Sequence, residues 1–430
     1  MNDPLRIGVI GLGTVGGGVM KLLGAHGALI AARAGRALTV TAVSARDRVK
    51  DRGLDLADTA WEDDPIALVR RGDVDIVVEA MGGEDGPAKR AIEAAFSLGK
   101  SVVTANKALL AHHGQALAEA AEANGAQLRF EAAVAGGVPC VKALGEGLAG
   151  NRISRVIGVL NGTCNYILTR MEAEGAPYAE VLADAQRLGY AEADPSFDVG
   201  GTDAAHKLAL LAALAFGTRV DFDGVKTEGV DQLGLADIAH AKELGYRIKL
   251  LGVARQGEGG LEQRMQPCLV PAGSPIGKLE GVTNMVLLEG DAVGRIVLEG
   301  PGAGAGPTAS AIAADLIDIA RGARTPAFGV PAGMLKAAGR ATGGASAAYY
   351  LRLALRDQPG VLARVAAALG AEGVSIHRMR QTADEAEGGE ATVLIVTHET
   401  QRPKLDAALA VIAQSAVSTG APVAIRIEQL

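Results

Sequence analysis

Short apolar runs alternate with helix-length amphipathic stretches over the first 135 residues. Arg6 to Ile10 runs into Gly11, and a helical pattern follows from Thr14 to Leu23. Leu38 to Val43, Asp75 to Glu79, Ser101 to Thr104 and Gln127 to Glu131 read as further strands. Helices are predicted over Pro87 to Leu98 and Gly114 to Asn124. Strands that are apolar on both faces, with helices between them, predict a parallel, doubly wound sheet.

After Gly136 the pattern changes. Strands at Ile153 to Leu160 and Val282 to Glu289 bracket helices at Tyr166 to Glu174, Tyr178 to Leu188 and Thr202 to Phe216, which reads as a second, α+β domain over residues 136–306. A glycine-rich stretch, Gly300 to Gly306, precedes a helix over Thr308 to Ala320 that is expected to pack back on the first domain. Gly329 to Ser346 carries the Pro and Gly of a linker. Residues 347–430 order as strand–helix–strand–strand–helix–strand, with strands at Tyr349 to Leu355, Val374 to Arg380, Ala391 to Thr397 and Val423 to Ile427, and helices at Val361 to Glu372 and Gln401 to Ala413. That order predicts a ferredoxin-like unit. Asp384 to Gly389 reads as its solvated hairpin loop.

The net charge of −7 comes without a long basic run, which argues against nucleic acid or an anionic membrane as partner. Cys140, Cys164 and Cys268 are too widely spaced for a zinc motif or a disulfide framework. Met1 to Pro4 has no basic start or cleavage site, and no stretch approaches the ~20 apolar residues of a membrane helix. The expectation is a reduced, cytoplasmic protein.

Gly11-Leu12-Gly13-Thr14-Val15-Gly16 ends the first strand and opens the first helix. In that setting Gly11 permits the tight turn, Gly13 lets backbone approach a pyrophosphate, and Gly16 allows close helix–strand packing. The helix N-terminus, from Thr14 and Val15, offers free N–H groups to phosphate. A glycine motif so placed defines a Rossmann-type dinucleotide domain over residues 1–135. At the end of the second strand an acidic residue would hold the ribose of NAD; here Ser44 and Arg46 suit a 2′-phosphate and Asp47 is displaced. NADP is therefore expected, with NAD possible.

Thr104-Ala105-Asn106-Lys107 follows the fourth strand, where open sheets bind ligands, so Thr104 and Lys107 are expected near the nicotinamide, with the Glu79 to Gly83 loop beside them. The segment Gly189 to Lys207 brings Tyr190, four carboxylates (Glu192, Asp194, Asp198, Asp203) and Lys207 into a loop and the first turns of a helix. Asp203 and Lys207 are four apart and share one helical face, with Leu208, Leu211 and Leu214 continuing the apolar side. A lysine in such a partly dry place can exchange a proton near neutral pH. His206 points about 100° away and is expected to be structural.

With these pieces the chain resembles homoserine dehydrogenases along nearly its whole length, adding Asn161-Gly162-Thr163-Cys164-Asn165-Tyr166 and Gly300 to Thr308 to the motifs already given. The resemblance implies reversible oxidation of L-homoserine to L-aspartate 4-semialdehyde, running physiologically towards homoserine. It implies Lys207 as the catalytic lysine, Asp203 as its helical partner and Lys107 as the second active-site lysine. Glu192 is implied to bind the substrate ammonium with Asp198 and Tyr190 nearby, and Gly302 and Gly304 to lie at the cofactor. A sodium or potassium ion is implied on backbone carbonyls of Glu131, Val134, Gly136 and Val138. Tyr350 to Leu362, with its Asp357-Gln358-Pro359-Gly360 turn, resembles the opening of an ACT domain, which implies an amino-acid effector, L-threonine, and a homodimer or homotetramer.

Two other readings are carried. One is an aspartate-semialdehyde-type dehydrogenase using Cys164 as nucleophile, although no histidine is placed to activate it. The other is a non-catalytic sensor of nucleotide and amino acid.

Overall fold

The computed structural model describes residues 3–257, 259–341, 344–383 and 389–430. Of the predicted loop Asp384 to Gly389, only Gly389 lies within them. Six parallel strands form the first sheet in the order Ala60–Glu62, Leu38–Ser44, Leu5–Ile10, Ile76–Glu79, Ser101–Thr104, Leu128–Arg129. The order reverses beside Leu5–Ile10, so the crevice of a doubly wound sheet opens at its carboxyl end, at Gly11. Ile7, Val9, Val77, Val78, Val102 and Val103 are buried from both faces, which is why these strands read as apolar runs rather than alternations.

The helix Ala305–Ala320 packs on this sheet. Ile312 and Leu316 share a core with Val9, Val19 and Val103. It starts three residues earlier than its sequence pattern indicated, so the glycine-rich loop shrinks to residues 302–304 between the strand Gly294–Pro301 and the helix. The helix carrying Lys107 also starts early, at Lys107–Ala123 rather than at Gly114, because the Asn106 side chain caps it by accepting from Leu109 N at 3.1 Å.

The second sheet has ten strands. Along its main path run Gly294–Pro301, Thr283–Gly290, Ile153–Val159, Tyr246–Gly257, Gly260–Pro271, Val423–Ile427, Tyr349–Arg356, Glu390–Thr397 and Ile376–Ala383, and Val225–Thr227 pairs with Gly260–Pro271. The last four on the path form the expected ferredoxin-like unit. That unit does not stand apart: Cys268 pairs with Arg426 and Leu269 with Ile427 in parallel register, so one sheet runs through both regions. Charged groups close the seam. Arg264 Nη2 donates to Glu428 Oε2 at 2.6 Å, and Arg352 donates to both oxygens of the fully buried Asp237, at 2.6 and 3.1 Å. Within the predicted linker, residues 329–346, Lys336 and Arg340 are held against the second region by bridges to Thr218 and Leu261.

Candidate active site

The glycine loop has the geometry its motif requires. Gly11 has φ +91°, and a Cβ there would fall 2.5 Å from the Ala80 carbonyl oxygen. A Cβ on Gly16 would lie 1.8 Å from Gly11 O, so the helix can approach the strand only with glycine at this position. Gly13 faces open space, and the helix Thr14–Ala25 that follows has no side-chain cap. Its first N–H groups therefore remain available to an anion. The helix Ala305–Ala320 is likewise uncapped at Gly304 and starts against the first, a Cβ on Gly18 falling 2.5 Å from Ala305 O. Two helix N-termini thus converge on one place. The donor set suits a dinucleotide diphosphate.

At the end of the second strand Ser44 is buried and its carbonyl accepts Gly11 N at 2.8 Å. Arg46 is exposed. Asp47 is turned away into its own loop, accepting from Val49 N and Lys50 N. Arg48 and Arg52 stack on Trp61, and Arg52 Nε donates to Leu12 O at 3.1 Å, which adds cations beside the glycine loop that the sequence did not single out.

Lys107 is presented by a buried network. Glu79, fully buried, accepts Met81 N and Gly82 N on one oxygen and the Thr104 hydroxyl, at 2.6 Å, on the other. Thr104 Oγ1 in turn accepts Asn106 N at 2.9 Å, and Asn106 Nδ2 donates to Gly83 O. The Thr104 hydroxyl is thus spent on Glu79, so its side chain shapes the loop from behind.

The helix Thr202–Phe216 supplies the centre of the site. Lys207 is 9 % exposed, and its Nζ donates to Leu160 O at 2.8 Å and to Asp203 Oδ2 at 2.7 Å. Lys107 Nζ lies 3.1 Å from the other Asp203 oxygen. One carboxylate therefore bridges two ammonium groups. Burial alone would push the Asp203 carboxyl up, but Lys207 and Lys107 outweigh it and hold it well below the usual range. Asn161 joins the cluster: Nδ2 donates to Asp198 Oδ1 at 2.8 Å and to Asp203 Oδ2 at 3.0 Å, while Oδ1 caps the helix Gly162–Glu174 through Cys164 N. Asp198 is pushed up by burial and by the neighbouring Asp203 charge.

These groups line one cavity of about 560 Å³. Thr14, Val15, Lys107, Gly136, Tyr190, Glu192, Asp198, Asp203, Lys207, Gly302 and Gly304 all reach it. Gly11, Gly13, Gly16, Ser44, Arg46, Thr104, Glu131, Val134 and Val138 do not. Asn161 and Asn284 line it too and escaped the sequence reading. The signal for Asn161 was present, an Asn at a strand end before Gly-Thr, but it stood only as part of the motif Asn161 to Tyr166 with no role of its own. His206 packs against Phe222, with ring centroids 4.3 Å apart, and lies outside the cavity; burial holds it low, at about 4.

A dinucleotide crevice that opens onto a buried proton-bearing amine defines an NAD(P)-dependent oxidoreductase. Family comparison narrows the class. The model described as "Homoserine dehydrogenase, NAD binding domain" matches residues 11–131, "Homoserine dehydrogenase" residues 139–317, and "ACT domain" residues 349–414. The homoserine dehydrogenase of Pseudomonas aeruginosa is 42 % identical over 434 residues, covering 99 % of both chains. The crystal structure of a homoserine dehydrogenase from Thiobacillus denitrificans superposes with TM-score 0.93 at 42 % identity, covering 99 % of this chain and 98 % of that one. A hyperthermophilic archaeal homoserine dehydrogenase in complex with NADPH is 25 % identical with TM-score 0.63, covering 73 % of this chain and 97 % of that one. The chain belongs to the homoserine dehydrogenase family.

Proposed function

We propose that the chain interconverts L-homoserine and L-aspartate 4-semialdehyde with NADP, in the direction of homoserine, and so serves threonine, methionine and isoleucine biosynthesis. The observation that carries this reading is the single carboxylate of Asp203 holding two lysines at the wall of a cavity that also receives two helix N-termini. When bound, the nicotinamide gives or takes the hydride. Lys207 has three N–H donors, of which two are fixed on Leu160 O and Asp203, leaving the third for the substrate oxygen. In the reductive direction it donates its proton as that oxygen becomes an alkoxide. Lys107 adds a second positive group that stabilises the developing charge. Glu192 and Asp198 take the substrate ammonium beside Tyr190, and an ammonium there offsets the repulsion between Asp198 and Asp203. NADP rather than NAD is supported by exposed Arg46, by Arg48 and Arg52 beside the glycine loop, and by Asp47 being committed to its own turn.

A sodium or potassium ion on the Glu131–Val138 loop is part of the same proposal. The Glu131 carboxylate is spent on Val141 N and Lys142 N, so the oxygens left for an ion are backbone carbonyls. Those of Glu131, Val134 and Val138 each keep a second lone pair, and that of Gly136 accepts no hydrogen bond among the described residues. Its part would be to fix the joint between the two regions. L-Threonine as effector is supported by a cavity of about 360 Å³ at the Asp357–Gly360 turn, with Arg356 and Gln381 on its walls. A homodimer or homotetramer is supported by the sheet edges at Gly294–Pro301 and Ile376–Ala383, which carry no further strand among the described residues. Three unpaired, buried cysteines suit the reducing cytoplasm.

The deciding experiment is a scan of short amino alcohols with NADP⁺ and NAD⁺, with and without threonine. Homoserine should support NADPH formation and threonine should suppress it. No NADPH from homoserine would sink the reading. Cys164 serves as its internal control. Its thiol is buried, donates to Asp198 O at 3.3 Å, and is pushed well above the usual range by burial and the Asp198 charge, so it is no thiolate nucleophile. Cys164→Ser is therefore expected to keep kcat with homoserine within about threefold of the parent, whereas a thioester mechanism would lose nearly all turnover.

A further inference from the structure

Asn284 is 2 % exposed, lines the active-site cavity, and makes no side-chain hydrogen bond to any described residue. With its donor and acceptor open to the cavity and unclaimed by the described residues, this amide is free to pair with whatever group the cavity holds. Its placement is tightly enforced. Asn284 stands opposite Gly300 in the strand pair Thr283–Gly290 and Gly294–Pro301, and its amide lies over the Cα of Gly302. A methyl at Gly302 would fall 2.1 Å from Asn284 Cγ, and one at Gly136 would fall 2.4 Å from Gly302 O. The 302 position is thus glycine because the amide occupies that space.

The cavity lining groups by chemistry. Thr14, Val15 and Gly304 mark the helix N-termini, which suit diphosphate, and Lys107, Lys207 and Asp203 mark the place of proton exchange. Val282, Asn284 and Pro301 to Ala303 line the cavity as well. Asn284, packed on Gly302 two residues before the helix N-terminus at Gly304, stands beside the place suited to diphosphate, where a nicotinamide joined to that diphosphate comes within its reach. Among Val282, Asn284 and Pro301 to Ala303, Asn284 alone has a side chain that can hydrogen-bond. It offers one donor group and one acceptor, which is the complement of a primary carboxamide. A substrate ammonium or carboxylate finds its complement among the charged groups instead. We propose that Asn284 recognises the carboxamide of the nicotinamide ring, accepting from its NH₂ and donating to its oxygen, and so fixes which ring face meets the substrate.

This rests on the dinucleotide reading of the cavity. The test is calorimetric binding of NADP⁺ and of its 3-acetylpyridine analogue, which keeps the carbonyl but lacks the NH₂, to the full-length protein. The parent should bind the analogue about tenfold more weakly than NADP⁺. Asn284→Leu keeps the volume against Gly302 and should weaken NADP⁺ by about tenfold while bringing the two ligands within about twofold of each other. The parent measurement stands alone if the variant does not fold. Equal binding of both ligands by the parent would overturn the proposal. So would an unchanged ratio in Asn284→Leu accompanied by a raised KM for homoserine, which would put the amide on the substrate. A parent that binds neither dinucleotide would remove the underlying reading itself, an outcome distinct from both.

Discussion

Lys207→Ala should lower kcat for homoserine oxidation by about a thousandfold while leaving the dissociation constant of NADP⁺ within about threefold of the parent. The split follows from where the amine sits. Its nitrogen is buried between Leu160 O and Asp203 on the substrate side of the cavity, whereas the groups suited to the dinucleotide phosphates belong to the helices starting at Thr14 and Ala305. Removing the amine deletes the proton carrier but not the phosphate donors. Asp203 keeps Lys107 and Asn161 as partners, so the variant retains its acid cluster and should fold. Single-turnover mixing of enzyme, NADP⁺ and homoserine, beside calorimetry of NADP⁺ alone, separates the two effects. Turnover within tenfold of the parent would remove Lys207 from the chemistry. Loss of both turnover and NADP⁺ affinity would mean that the side chain holds the fold of the cleft.

Much of this geometry was legible because its physics is local. A glycine motif between a strand and a helix dictates its own backbone, and an i,i+4 Asp–Lys pair shares a face wherever the helix forms. Contacts between distant segments were not legible. Asn161 is 42 residues from Asp203, and nothing in its neighbourhood announces that its amide will bridge two carboxylates. Thr104 lay next to the right loop but is turned inward by Glu79, a buried acid whose partners become visible only once the sheet is assembled. The long pair Tyr246–Gly257 and Gly260–Pro271 was missed for another reason. Buried on both faces, it shows no alternation, and Lys249, Gln263, Arg264 and Gln266 break up what would otherwise be apolar runs. Lys249 is tolerated there because Asn165 and the Leu279 carbonyl accept from its ammonium, and Glu428 accepts from Arg264 Nη2, while Gln263 Oε1 and Arg264 Nη1 stay without a partner among the described residues. The seam between the second and third regions was hidden in the same way, since pairing at Cys268–Arg426 joins segments that a linker separates in the chain.

Asp203→Asn is the second large expected effect, and it should appear in both stability and rate. The substitution keeps the shape but leaves two ammonium groups, Lys207 and Lys107, facing a neutral amide in a buried place, which should cost about 3 kcal/mol of unfolding free energy at neutral pH. The rate should fall about a hundredfold, because the carboxylate fixes both lysine nitrogens relative to the cavity. The pH dependence gives a sharper check. The folded-state pKa of Asp203 lies well below its unfolded value of ~3.9, so its stabilising contribution is fully present above that value and is lost as pH falls through the folded one. The gap between parent and variant should therefore be constant above about pH 5 and close as the solution becomes more acid. Asp198 acts in the opposite sense. Its raised pKa means that its ionised form costs stability above the unfolded value, and part of that cost comes from the Asp203 charge, so the variant recovers some of what it loses. Urea midpoints for parent and variant at pH 8, 5 and 3, with kcat at pH 8, measure all of this. A variant as stable as the parent at pH 8, or a gap that widens towards acid, would show that the carboxylate does not hold the two lysines in solution.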